Sequence, residues 1–181
     1  MTSKATDTTR RRFLAGMGAT ALAMSPVGRL LAAETPRTLA FSHLHTGERA
    51  RVTYFEGGRY LDDGLAELNQ LLRDFRTDDV TAMDPALFDI LHGVQRLTGS
   101  DGTYEIISGY RSPTTNEALR KAGRGVARKS QHTLGKAIDV RLSDLDTAKL
   151  RDAGISLAQG GVGYYASSNF VHLDTGRVRR W

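Results

Sequence analysis

The chain has 181 residues, of which 40% are hydrophobic, no cysteine, and a formal net charge of +5. That length suits one domain with a real core, and the lack of cysteine excludes disulfides, thiolate nucleophiles, iron–sulfur ligation and cysteine-held zinc. Any metal must therefore be held by nitrogen and oxygen. The basic residues form no aromatic-interleaved stripe, so an anionic polymer such as cell wall fits better than nucleic acid, which is not expected as a partner.

Residues 1–35 read as an export segment rather than as part of the fold. Arg10, Arg11 and Arg12 precede an apolar run from Phe13 to Met24, too short to span a bilayer comfortably. The order Thr9-Arg10-Arg11-Arg12-Phe13-Leu14 looks like a twin-arginine signal, with cleavage expected near Ala32 or Ala33. A soluble periplasmic product with no stable membrane insertion follows. Residues 36–181 are then the single functional domain.

Residues 37–55 alternate as two short strands around His45-Thr46-Gly47-Glu48 and read as a hairpin. Leu61, Leu65, Leu68, Leu72 and Phe75 recur at helical spacing. A second helix opens with Asp84 as cap and Pro85 in its first turn, and Leu87, Ile90, Leu91, Val94 and Leu97 make its inner face. "TYEIIS" is a strand ending near Ser108, and "GYRSPTTNEALRKAG" is a turn feeding a short helix. "RGVARKSQHTLGK" is a basic loop, "AIDVRL" a strand, "DLDTAKLRDAG" a helix, "GGVGYY" a turn region and "NFVHLDTG" a final strand. The predicted class is α+β, with a small antiparallel sheet packed on helices.

Strand alternation picks out a candidate site. In "AIDVRL", Ile138, Val140 and Leu142 share one face while Asp139 lies on the other. In "FVHLD", Val171 and Leu173 share a face, opposite His172 and Asp174. If the two strands pair, Asp139 and His172 converge, and His132 on the preceding turn can reach the same point. Two histidines and a carboxylate are a familiar catalytic zinc set, with water in the fourth position. Separate structural roles for the three residues remain open on spacing alone.

Several segments together resemble the M15-type zinc peptidases, whose fold is shared with D-alanyl-D-alanine peptidases and the hedgehog signalling domain. They are Ser130-x-His132-x6-Asp139 with Gly135 and Ala137, "SGYRS" at 108–112, and the late strand histidine. "LHTGE", "LLRDFR", "RGVARKSQHTLGKAID", "GGVGYY" and "SNFVHLDTGRVRRW" are similar to the murein endopeptidase K branch of that family. The resemblance covers nearly the whole chain. It implies His132, Asp139 and His172 as ligands of one Zn2+ per chain. It also implies cleavage of peptide cross-links in peptidoglycan, at meso-diaminopimelate, with stem peptides as partner. A zinc carboxypeptidase or dipeptidase acting on wall peptides, and a non-catalytic wall-binding module, are the alternatives.

Many members of the family carry a glutamate three residues before the last histidine, and here that position is Asn169. The general base is therefore open. Asp174 is the first candidate, with an orienting role or an arginine pair as its alternatives. His45, which shares a strand face with His43, is the second; otherwise it simply packs. Arg111 could bind a substrate carboxylate in a bidentate fork or serve in a structural ion pair. Ser108 and Tyr110 could line the same groove. Either Tyr164 or Tyr165 could donate to the oxyanion, and Tyr165 is the one carried forward. The closing "RVRRW" is expected to dock Trp181 on the domain and turn its arginines to solvent or wall polymer.

Overall fold

The computed structural model describes residues 35–181, so the export segment expected over residues 1–35 lies outside the described residues except for Thr35. In chain order the elements are β1 (Arg37–His43), β2 (Arg49–Glu56), β3 (Arg59–Tyr60), α1 (Asp62–Leu71), α2 (Pro85–Thr98), β4 (Tyr104–Ser108) and α3 (Pro113–Lys121). A 3-10 turn at Gln131–Leu134 leads into β5 (Ala137–Leu142), followed by α4 (Thr147–Leu157), β6 (Gly161–Tyr165), β7 (Phe170–Asp174) and β8 (Arg179–Arg180).

The strands form one eight-stranded sheet in the order β3-β2-β1-β4-β5-β7-β6-β8. The class is α+β as expected, but the sheet is larger than expected, and β1–β4 and β6–β8 pair in parallel. "GGVGYY" is not a turn region: apart from Gly160 it forms strand β6, paired along β7 from Gly161↔Asp174 to Tyr165↔Phe170. Nor is "NFVHLDTG" the last strand, since β8 follows it along β6.

One sheet face is the core. Leu39, Phe41, Val52, Tyr54, Tyr104, Ile106, Ile138, Val140, Val171 and Leu173 are buried there with Leu68, Leu87, Phe88, Leu91 and Leu150 from the helices. Helix α2 packs on β1 and β7, and α4 packs on β5, β6 and β7. The inner face of α2 differs slightly from expectation: Phe88 is buried and Leu97 is exposed, and the helix ends at Thr98 with a left-handed Gly99 as its C-cap. Asp84 caps that helix by accepting from the Ala86 N–H, a contribution of about 1 kcal/mol. The first helix stops at Leu71, so Phe75 lies beyond it and stacks on His45.

The opposite sheet face is built from small and polar side chains, because alternation sends the apolar half of each strand to the helices. Along β5, β7 and β6 it carries Asp139, His172, Asp174, Gly161, Gly163 and Tyr165. The loop from α3 to β5 folds over this face, held by a hydrogen bond from Asn116 Nδ2 to the Ala127 carbonyl. Its 3-10 turn ends at Gly135, whose φ of +66° favours glycine and whose Cβ would meet the Ala82 carbonyl at 2.5 Å.

Candidate active site

Strand register brings the first two candidate ligands together. Asp139 of β5 is directly opposite His172 of β7, as alternation anticipated for paired strands. His132 reaches them from the 3-10 turn, where the Ser130 side chain caps its N–H. The Arg111 N–H also donates to the His132 carbonyl, which ties "SGYRS" to this turn. All three side chains are buried, with residue exposures of 3% for His132 and 8% for both Asp139 and His172.

The inward atoms form a small triangle. His132 Nε2 lies 3.2 Å from His172 Nδ1, His172 Nδ1 lies 2.8 Å from Asp139 Oδ1, and His132 Nε2 lies 3.3 Å from that same oxygen. A tetrahedral ion bound at about 2.0–2.1 Å separates its ligand atoms by about 3.3 Å, so the triangle is close to the size a metal requires.

The outward nitrogens set the tautomers. His132 Nδ1 is 2.7 Å from the Gly109 carbonyl, which can only accept, so Nδ1 carries the proton and Nε2 turns a lone pair inward. His172 Nε2 is 2.9 Å from Asp174 Oδ2, so its proton sits there and Nδ1 turns inward. Two lone pairs and a carboxylate oxygen thus face one another in a buried space, an arrangement that calls for a cation or a proton. Burial alone would lower the His172 pKa, but its hydrogen bonds to Asp139 and Asp174 outweigh this and raise it to about 8. Burial would raise the Asp139 carboxyl, and its interactions with His132 and His172 outweigh this, leaving it well below the usual carboxylate range. Among the described residues, these three are the group of metal-ligating side chains able to hold an ion.

Asp174, the first candidate base, lies among donors. It is fully buried, and both oxygens are already committed. Arg179 donates to Oδ1 at 2.9 Å and Oδ2 at 2.6 Å, the Gly161 and Gly176 N–H groups donate to Oδ1, and His172 occupies Oδ2. Burial would raise its pKa, but these donors hold it well below the ordinary range. Such a carboxylate is suited to orienting His172, because both of its oxygens are engaged. His45, the second candidate, is exposed and stacks on Phe75 with ring centroids 4.2 Å apart, outside the lining of the cleft beside the triangle.

A cleft of about 480 Å³ opens beside the triangle, lined by Arg111, Ser130, Tyr165, Phe170, Arg179 and Trp181 together with the loop residues Arg124 to Ala127 and Lys129. Arg111 is 7% exposed, yet its bonds are weak: Ser108 Oγ and Asn116 Oδ1 are each 3.4 Å away, Asp139 Oδ2 is at 4.0 Å, and Nε has no hydrogen-bond partner. Burial lowers its pKa, partly countered by Asp139. A buried, under-bonded guanidinium facing a cleft is suited to an anionic ligand. Ser108 lies behind Arg111 and braces it, whereas Tyr110 turns toward the core and does not line the cleft. Of the two adjacent tyrosines, Tyr165 faces the cleft, while Tyr164 lies under the Arg151 guanidinium.

Trp181 docks on the domain as expected, pairing with β6, but Arg179 departs from the expectation. Arg179 is not a solvent arginine but the bidentate partner of Asp174. Alternation within "RVRRW", which sets Arg179 and Trp181 on one side and the 64% exposed Val178 on the other, carried the missing signal.

The Peptidase_M15_2 family profile, described as "Peptidoglycan L,D-endopeptidase MepK", matches residues 31–181. The Escherichia coli K12 protein named peptidoglycan L,D-endopeptidase MepK is 43% identical over 179 residues, covering 97% of this chain and 98% of its own. A Haemophilus influenzae protein named probable peptidoglycan L,D-endopeptidase MepK is 39% identical over 180 residues, covering 97% of this chain and 96% of its own.

Proposed function

Because this chain belongs to the Peptidase_M15_2 family of metallopeptidases, we propose that it is a zinc-dependent endopeptidase that cleaves L,D peptide cross-links of peptidoglycan. Residues 36–181 form its single catalytic domain. The observation that carries this reading is the buried triangle of His132 Nε2, His172 Nδ1 and Asp139 Oδ1 beside the under-bonded Arg111. Its place of work is the periplasm, reached through a twin-arginine signal, and among the described residues no helix is long and apolar enough to cross a membrane.

His132, Asp139 and His172 would hold one Zn2+, which would supply a Lewis acid for the scissile carbonyl and the attacking water. The protein's own residues do the rest. Arg111 grips a carboxylate of the stem peptide and fixes the cross-link in register with the ligands. Tyr165 donates its hydroxyl hydrogen to the carbonyl oxygen as negative charge develops there. Asp174 keeps the His172 ring in place and its Nδ1 unprotonated toward the metal.

The direct test is incubation of the purified protein with cross-linked muropeptides and mass analysis of the products. Monomers that vanish with a chelator and return with zinc are expected. Loss of a single terminal residue would mean a carboxypeptidase, and retention on the wall without cleavage would mean a binding module.

Asp174→Asn should weaken zinc binding by roughly 10–100-fold while leaving the three ligands intact, read by titration against a competing chelator. Unchanged affinity would remove the orienting role.

The pH dependence follows from His172. Its folded pKa of about 8 exceeds the ordinary 6.5. The stability it lends the metal-free protein is thus fully present below 6.5 and lost as pH rises through about 8. Zinc competes with that proton. The Tm difference between zinc-loaded and chelator-treated protein should therefore widen with pH over this window; a gap that narrows would contradict it.

A further inference from the structure

Trp181 is held by three separate restraints. Its N–H donates to the Val162 carbonyl and its carbonyl accepts from the Tyr164 N–H, so its backbone extends the pairing of β8 along β6. The indole lies over Gly163, where a Cβ would meet the ring at 2.6 Å; only glycine in β6 leaves it that place. Arg179, itself locked on Asp174, stacks over the same ring at 4.8 Å. The indole is thereby brought 5.3 Å from the His172 ring, centroid to centroid, and forms part of the cleft wall.

Its one polar atom is also directed. Trp181 Nε1 donates to the Tyr165 hydroxyl at 3.0 Å. An indole nitrogen can only donate, so the Tyr165 oxygen is the acceptor and its own hydrogen must point elsewhere. The Tyr165 ring is stacked on Phe170, with centroids 4.6 Å apart, which limits its swing. Both rings line the cleft. A tyrosine held in this way presents its O–H outward to the cleft.

We propose that Trp181 is a positioning residue for the cleavage reaction, its indole N–H holding the Tyr165 hydroxyl as a donor aimed at the substrate carbonyl oxygen. This rests on the endopeptidase reading above and adds to it a residue that touches no reacting atom. It accounts for a half-exposed tryptophan held in place by a glycine, an arginine and two backbone hydrogen bonds.

The test uses zinc-loaded full-length protein and has two readouts. The chain contains a single tryptophan, so its indole N–H gives one side-chain cross-peak in a 1H–15N spectrum. Tyr165→Phe should move that peak and speed its exchange with solvent, with no need for turnover. In kinetics on cross-linked muropeptides, Tyr165→Phe should lower kcat by about 100-fold and Trp181→Phe by about tenfold, with KM changed by less than about twofold. The double variant should be no slower than Tyr165→Phe alone, because the indole acts only through that hydroxyl. Trp181→Phe keeps an aromatic ring over Gly163, and unchanged zinc content and Tm would exclude collapse of the cleft as the cause. An indole peak indifferent to Tyr165→Phe, or losses that multiply in the double variant, would overturn the inference while leaving the endopeptidase in place. A wild-type protein that loads zinc but cleaves no cross-link would overturn the endopeptidase reading and the inference with it.

Discussion

His132→Ala is expected to abolish stoichiometric zinc and to reduce cross-link cleavage by on the order of 10³-fold or more. His132 supplies one corner of the triangle, its Nδ1 proton fixed by the Gly109 carbonyl, and among the described residues no other group completes the set. The fold should survive, because His132 lies on the turn over the open sheet face rather than among the buried apolar side chains beneath. Metal analysis of the purified variant, circular dichroism and product masses separate the three effects. A variant that still binds one zinc and cleaves normally would remove His132 from the site.

Arg111→Lys should keep its zinc and lose about 100-fold in kcat/KM. Lysine preserves the charge but not the planar fork, and its ammonium would enter a pocket that already disfavours charge through burial. The loss should depend on the substrate. On stem peptides whose carboxylates are amidated, wild type and variant should converge, since the guanidinium then has no anion to grip. Equal penalties on both substrates would make Arg111 a structural brace for Asp139 instead. The 4.0 Å separation from Asp139 Oδ2 favours the substrate role, because a committed ion pair would close further.

Much of this site could be read before any coordinates, and the reason is the period of a strand. Ile138 and Val140 are apolar and Asp139 is not, so the carboxylate had to face away from the core. The same held for His172 between Val171 and Leu173. What alternation could not supply was the partner strand, and Asp139↔His172 pairing resolved that. The glycines of "GGVGYY" misled, since glycine in a strand ordinarily marks a bend. Here Gly163 makes room for Trp181 and Gly161 for Arg179 and Asp174, which are long-range contacts invisible to a local reading. The surroundings of Asp174 were hidden for a similar reason. Its position beside His172 was legible, but the donors to its oxygens come from β6, β8 and the turn between β7 and β8, and only the folded sheet reveals them.

The turn bearing His132 is joined to the sheet at the triangle itself. A metal held there would link residue 132 to residues 139 and 172, and so would close a loop spanning three strands and a helix in a chain with no cysteine. It would act as the long-range cross-link that small domains more often make with sulfur. Unlike a disulfide, a zinc link would be indifferent to the redox state of its surroundings: a reductant would leave it closed, and a chelator would open it.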